Sequence, residues 1–315
     1  MAFHLDKTVD VSLQPDRRTG IDYDMDDQSG CLPGPLAEQP LMLEALLCVE
    51  NVSKEFPMND GETFVALRDF SLTIRDIEHK PQIVSLLGPS GAGKTTALRI
   101  IAALDRPTSG QVQITDGASQ KLRPVRVGDV GVVFQRYPLF EDLKVIDNLI
   151  KPAVSSGIPA KEAKEKALCF LDEFDLVRQG LSWPLQLSGG QRQRVAILQQ
   201  LMQNRHFIIL DEPFSGLDPV NIINVINLIN RIAHQHTLNT FIIITHDVTS
   251  ALVISDHIYL LGRKRDEKGE PIPGSSVMKE YDLIAEGLAY RPDIEDLPRF
   301  AELRKEIRLT EFPRL

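Results

Sequence analysis

The stretch Ile83-Val-Ser-Leu-Leu-Gly88-Pro89-Ser90-Gly91-Ala92-Gly93-Lys94-Thr95-Thr96 decides how this chain folds. Residues 83–87 form a compact apolar run that breaks off in glycine, the pattern of a strand buried on both faces. Residues 88–95 meet G-x-x-x-x-G-K-[ST] at Gly88, Gly93, Lys94 and Thr95, and residues 96–104 (TALRIIAAL) read as a helix. Strand, glycine-rich turn and helix together make a phosphate cradle. Glycines let the backbone curl until successive N–H groups point at one anion, and the positive end of the helix adds to the attraction. Lys94 is then placed to reach the outer phosphates, and the Thr95 hydroxyl to ligate Mg2+. An incidental glycine-rich turn explains neither the strand before it nor the helix after it. Residues 88–96 read as a nucleoside triphosphate site.

Working outward, apolar runs like 83–87 recur at 131–134, 207–210 and 241–245, with helical stretches between them. Strands alternating with helices indicate an α/β fold with a mostly parallel core sheet. Upstream, short β-like runs at 47–49, 64–67 and 70–74 are separated by polar turns, as in an antiparallel layer. Residues 139 to about 187 differ. They are helical by pattern, most clearly at 160–175, and hold no convincing strand, so they read as a helical subdomain inserted in the α/β core. Residues 1–44, acid-rich at 22–27 and punctuated by Gly30, Pro33, Gly34, Pro35 and Pro40, read as a flexible extension. The main body then runs over 45–285. A short tail, 286–315, carries Phe300, Leu303 and Ile307 on one helical face, consistent with a terminal helix docking on that body.

Composition narrows the class. The 315 residues are 43% hydrophobic and 25% charged, with a formal net charge of −9, an ordinary globular balance. A protein that binds nucleic acid by neutralising phosphates is more often basic, so no nucleic-acid partner is expected. Cys31, Cys48 and Cys169 show no metal or disulfide spacing and suit a reducing compartment. The N-terminus has charges every few residues and no apolar signal core, and no apolar run approaches the roughly 18 residues that cross a bilayer. A cytosolic protein is expected.

Phe207-Ile-Ile-Leu-Asp211-Glu212 places two acids where a strand emerges. In open α/β sheets ligands collect at the carboxyl ends of strands, so both acids should face the crevice of Lys94. Asp211 is read as holding Mg2+ through water, and Glu212 as polarising the water that attacks the γ-phosphate. An isolated Asp-Glu pair is usually a solvated loop. Beside a phosphate loop it reads as a metal and water site.

These features suit a kinase, a helicase or a GTPase equally. The segment Leu187-Ser188-Gly189-Gly190-Gln191-Arg192-Gln193-Arg194 separates them, because it resembles the LSGGQ signature of ABC-family ATPases. Its logic is again an anion site: Ser188 caps a helix, and Gly189 and Gly190 let backbone N–H groups approach a phosphate. The resemblance implies that this phosphate belongs to ATP held by an opposite subunit. It also implies that Gln135 is the Q-loop glutamine, contacting Mg2+ and sensing a membrane partner. Ser215-Gly-Leu-Asp218 resembles the D-loop that crosses the dimer interface. His246 is similar to the switch histidine that contacts the γ-phosphate, and Phe56 to the aromatic that stacks on adenine. The likeness covers about residues 47–265. It departs from the common pattern at Ala103, where many cassettes have glycine, and at Leu198-Gln199-Gln200, where Ala-Arg-Ala is usual.

What the resemblance implies is a P-loop NTPase cassette with a mostly parallel core sheet, an N-terminal antiparallel β layer and the helical insertion. ATP and Mg2+ are the implied ligands. The implied partners are a second cassette, for which a homodimer suffices, separate membrane permease subunits, and a solute-binding protein. The location would be peripheral, on the inner face of the cell membrane. Residues 136–148 (RYPLFEDLKVIDN) are a candidate groove for a permease helix, although packing inside the insertion explains Val145 and Leu149 equally well. Trp183-Pro-Leu-Gln-Leu-Ser is similar to cassettes of nitrate, sulfonate and taurine importers, which favours import. A lipid or lipoprotein extruder, and a soluble ABC ATPase acting on ribosomes or DNA, stand as alternatives. The transported substrate is recognised elsewhere and is not written in this chain.

Overall fold

The computed structural model describes residues 44–59, 61–77, 80–115, 121–203, 205–235 and 240–315. The extension read over 1–44, with Cys31, lies outside the described residues save for Glu44. Strands β1 (Ala45–Pro57) and β2 (Thr63–Arg75) pair antiparallel and bury Leu47, Val49 and Val52 of one and Leu67, Phe70, Leu72 and Ile74 of the other. Near-alternating burial is what a sheet packed on one face demands. Strand β3 (Gln82–Leu87) is buried at all six positions and leads through the glycine-rich loop into α1 (Lys94–Ile101). Strands β4 (Ser109–Thr115) and β5 (Leu122–Pro124) extend the antiparallel side, and β6 (Val130–Val133) forms the opposite edge.

Between β6 and β7 (Phe207–Asp211) lie three helices, α2 (Val145–Ser155), α3 (Ala160–Glu173) and α4 (Gly189–Leu201). The chain continues through α5 (Pro219–Gln235), β8 (Thr240–Thr245), α6 (Val248–Ile254), β9 (His257–Arg265), β10 (Pro271–Asp282) and α7 (Pro298–Glu306). Ten strands form one sheet in the order β5-β4-β1-β2-β10-β9-β3-β8-β7-β6. The run β9-β3-β8-β7-β6 is parallel throughout. Its register sets Leu87 beside Thr245 and Asp211 beside Ile244, so the residues following β3, β7 and β8 emerge side by side.

Three apolar clusters hold the body together. One joins α2–α5 to β7 and β8 through Leu149, Ile197, Leu210 and Ile229. A second packs Leu98 and Ile101 of α1 against Leu67, Phe70 and Ile244. A third buries Phe300, Leu303 and Ile307 with Leu252 of α6, Leu260 of β9 and Leu283.

The structure departs from the sequence reading in particular places. Strand β6 starts and ends one residue earlier than 131–134. Strands β4, β5, β9 and β10 are additions to that reading, and β10 carries Pro271, Pro273 and Gly274, residue types that disfavour a strand interior. It survives as a strand at the seam between the parallel and antiparallel regions, meeting β2 at Ser275 and Leu67. Gly274 has φ 94, and a Cβ there would lie 2.7 Å from the Cβ of Arg68, so only glycine allows β10 this close to β2. Helix α1 occupies Lys94–Ile101 rather than 96–104. Gly93, at φ 72, opens it, and Ala103, at φ 56, closes it. The carbonyl of Arg99 then accepts from Leu104 and Asp105 N–H at 2.7 and 3.1 Å. Ala103, one of the two departures from the common pattern, thus sits in the left-handed region that glycine fills without strain.

Replacing Ala103 by Gly is expected to stabilise the protein by about 1 kcal/mol, raising Tm by about 2 °C. Thermal unfolding checks this, and a lower Tm would mean that packing of the methyl group outweighs its backbone strain.

Candidate functional site

The loop 88–93 wraps its own lysine. Lys94 is only 8% exposed, and its Nζ donates to the carbonyls of Gly88 at 2.8 Å and Pro89 at 3.0 Å. Gly93 could not be another residue: besides its positive φ, a Cβ would lie 2.9 Å from the carbonyl oxygen of Ala66. Burial pulls the Lys94 ammonium below its ordinary pKa, while the carboxylates of Glu212 and Asp211 act the other way.

Asp211 and Glu212 stand at the end of β7. Burial pushes the Asp211 carboxyl above the usual range, the charge of Glu212 adds to this, and Lys94 opposes it. Glu212 adopts φ 49, and its N–H donates to the Ile244 carbonyl at 2.8 Å. Its carboxylate lies 3.8 Å from Lys94 Nζ and within 2.9 and 3.0 Å of His246 Nδ1. The Thr245 hydroxyl donates to the same carboxylate at 3.4 Å. Gln135, following β6, donates through Nε2 to the Ser215 hydroxyl at 3.1 Å.

One open cleft of about 470 Å³ gathers Ser90, Gly91, Gly93, Lys94, Thr95, Thr96, Gln135, Asp211, Glu212 and His246. Gly88, Pro89 and Ala92 stand behind it, the first two supplying the carbonyls that hold Lys94 and the third buried. Phe56 does not line the cleft. It pairs across β1 and β2 with Phe64, and the Lys54 ammonium lies 5.0 Å over its ring. Phe64, with Ala66, forms the apolar wall, a role the sequence reading missed. The signal was an aromatic side chain left 47% exposed on a strand, which nothing in its local pattern explains.

The signature residues lie apart from this cleft. Ser188 caps α4, its Oγ accepting from Gln191 N–H at 3.3 Å while Gln191 Oε1 accepts from Ser188 N–H at 3.0 Å. This reciprocal capping fixes the helix head and leaves Gly189 and Gly190 with open space above their Cα atoms. Asp218 begins α5, accepting from Val220 and Asn221 N–H at 3.0 and 3.1 Å. Of the segment 136–148, Leu139, Val145 and Asn148 are buried, as is Leu149 just beyond it, and the Asn148 amide ties down Phe140, Leu143 and Lys144. Phe140 and Asp142 remain exposed, while Glu141 is paired with Arg192 of α4. Beyond the signature, Gln199 spends its amide on the Asn148 carbonyl at 3.2 Å, so this part of α4 is tied to α2 by a neutral bond.

The donor set fits a phosphate chain and a hard cation. Lys94 and the loop face the cleft with positive charge, and Thr95, Gln135 and Asp211 offer a hydroxyl, an amide oxygen and one carboxylate. Among the described residues no group of three or more His, Cys, Asp or Glu is arranged to hold a metal alone.

Comparison with known proteins gives one consistent picture. A family model described as "ABC transporter" matches residues 67–215. A sulfate/thiosulfate import ATP-binding protein of Mesorhizobium japonicum is 40% identical over 226 residues, covering 70% of this chain and 62% of that protein. An Fe(3+) ions import ATP-binding protein of Rhizobium etli is 40% identical, covering 67% and 57%. The chain therefore spans less than two thirds of the length of these two. A lipoprotein-releasing system ATP-binding protein of Rickettsia conorii is 36% identical over 227 residues, covering 72% of this chain and 95% of its own length. Among solved structures, the dimeric ATP-binding cassette MJ0796 in a post-hydrolysis state with ADP and Pi superposes with TM-score 0.59 at 29% identity, covering 75% and 98%.

The raised pKa of Asp211 gives a testable sign. A carboxyl whose folded pKa lies above its ordinary 3.8 costs the folded state stability once ionised. Asp211→Asn is therefore expected to raise the Tm of the nucleotide-free protein at pH 7, with the gain shrinking as pH falls towards 3.8. Unfolding followed across that pH range decides it, and a gain independent of pH would rule out charge burial as the cause.

Proposed function

We propose, on the premise that this chain belongs to the ABC transporter family and is an ATP-binding ATPase cassette, that it powers transport by closing and reopening as a dimer around ATP. One observation carries this reading. Lys94, Asp211, Glu212 and His246 converge in one cleft, while the capped head of α4 stands outside it with open space at Gly189 and Gly190, where a second molecule's nucleotide can approach the backbone. Each protomer then holds half of two sites.

In the cleft, the loop 88–93 and Lys94 cradle the phosphates, and Phe64 with Phe56 beside it flanks the base. Lys94 exchanges its bonds to Gly88 and Pro89 for phosphate oxygens. Thr95, Gln135 and Asp211 hold Mg2+, which neutralises charge on the triphosphate. Glu212 polarises the attacking water, and His246, bonded to it through Nδ1, orients that carboxylate and meets the γ-phosphate through its free edge. From the partner protomer, Ser188, Gly189, Gly190 and Gln191 close over the same phosphate, with Asp218 setting the start of α5 at the interface. Loss of the γ-phosphate removes what those N–H groups hold, so the dimer opens. A ligand shifts such an equilibrium only through its different affinity for the two states, and the γ-phosphate supplies that difference.

Residues 45–285 are the motor in this reading, the helices of 139–187 carry the contact to separate membrane permease subunits, and 286–315 is a strap on the motor's flank. No helix among the described residues is long and apolar enough to cross a membrane, which fits a subunit seated on the inner face against such permeases. The import names of two relatives support solute import, with a solute-binding protein in the complex. Lipoprotein release is the second reading, favoured by a relative that the chain spans almost completely.

Glu212→Gln is expected to bind ATP, lose at least 100-fold in hydrolysis rate and accumulate as an ATP-bound dimer by size-exclusion chromatography. Brisk hydrolysis by this variant removes Glu212 from its role. Asp142→Lys, which spares the Glu141–Arg192 pair, is expected to weaken copurification of a multispanning protein from native membranes while leaving basal ATPase activity unchanged. Recovery of soluble partners only would end the transport reading and leave the ATPase standing.

A further inference from the structure

Three segments of the site region meet at one backbone carbonyl. Pro213 follows Glu212, and its oxygen accepts from Gln193 Nε2 at 3.0 Å and from the Tyr137 hydroxyl at 3.3 Å. A carbonyl has two lone pairs, so this acceptor is full. Gln193 is 1% exposed on α4, two residues beyond Gln191, and Tyr137 is half-buried two residues beyond Gln135. Neither touches the nucleotide cleft. Two more bonds complete a ring: Gln135 Nε2 to the Ser215 hydroxyl at 3.1 Å, and Arg192 Nε to the Tyr137 carbonyl at 3.1 Å. The loop 135–137, the turn 213–215 and the head of α4 are thus tied to one another.

The ring encloses strained backbone. Glu212 at φ 49 and Tyr137 at φ 47 are both in the left-handed region, where side chains with a Cβ persist only when their surroundings over-determine them. Glu212 is pinned behind by its N–H on Ile244. In front, the Glu212 carbonyl accepts from Ser215 N–H at 3.1 Å within the turn itself, and Pro213 has no N–H and a fixed φ, so the Pro213 carbonyl is the handle by which the loop 135–137 and α4 hold that corner. Both donors serve that handle. Gln193 does so with its own Oε1 buried and unpaired, so its amide is oriented by the Pro213 bond alone. A flipped amide would set two acceptors face to face.

We propose that Tyr137 and Gln193 are positioning residues for hydrolysis: by filling the Pro213 carbonyl they hold the Glu212 corner, and so aim its carboxylate at the attacking water. Because one donor rides on the loop after Gln135 and the other on α4, loss of either bond frees the corner and slows hydrolysis while the residues that line the cleft keep their places. This rests on Glu212 being the group that polarises water.

The test is single-turnover ATP hydrolysis, ATP affinity and Tm for Tyr137→Phe and Gln193→Leu, each in the parent and in the Glu212→Gln background. In the parent background both substitutions are expected to slow hydrolysis about 10-fold with ATP affinity unchanged. In Glu212→Gln neither should slow the residual rate further. If Gln193→Leu does not fold, Tyr137→Phe, which removes a single hydroxyl, decides alone. Parent-like rates in the single variants while Glu212→Gln is slow overturn this inference and leave the reading of Glu212 intact. An equal further loss in the Glu212→Gln background, or a loss matched by weakened ATP binding, overturns it as well. Parent-like hydrolysis by Glu212→Gln itself overturns the reading of Glu212 and this inference together.

Discussion

Parallel pairing of β3, β8 and β7 is the constraint on which the site depends. Residues just beyond these strands are far apart in the chain, yet the ladder that sets Leu87 beside Thr245 and Asp211 beside Ile244 delivers Gly88, His246 and Glu212 to one sheet edge. Each of the three strands is almost wholly buried, so their register cannot slip without exposing apolar side chains or orphaning backbone groups. Rigid strand ends then carry the chemistry, and glycine-bearing turns give it shape.

Into that frame the chain builds features that cost stability. Lys94 and Asp211 are drawn into low dielectric with their charges only partly offset, and Glu212 sits in a strained backbone conformation. In the proposed function each would be relieved or exploited by a triphosphate with its cation: Lys94 would gain anionic partners, Asp211 would gain a positive neighbour, and the strain at Glu212 would fix where its carboxylate points. Bonds among the loop 135–137, the turn 213–215 and α4 give that strain its support from outside the cleft. Ground-state cost and substrate affinity are thus two aspects of one arrangement.

Much of the fold was legible because its signals are local. A continuous apolar run ending in glycine is a buried strand whichever neighbour it pairs with, and β3, β7 and β8 followed directly. Helix α3 was plain from apolar spacing. The hairpin of β9 and β10 was not, because Pro271, Pro273 and Gly274 are loop residues by any local rule and become strand residues only through pairing with β9, from Pro271 beside Arg265 onward, and with β2 where Ser275 meets Leu67. The ends of α1 also escaped. Ala103 closes that helix in a left-handed conformation that alanine does not choose for itself.

By itself the sequence determined the pieces of chemistry that fit within about ten residues: a phosphate loop, an acidic strand end, and the Ser188–Gln191 capping box that fixes a helix head. These depend on short-range sterics and hydrogen bonds that any local context reproduces. Only the tertiary structure decided that Phe64 rather than Phe56 lines the cleft, that His246 reaches Glu212, and that Tyr137 and Gln193 share the Pro213 carbonyl. The three hydrogen-bonded pairings join residues 20 to 76 positions apart, and which partners meet is set by sheet register and helix packing rather than by anything either residue carries in its own neighbourhood.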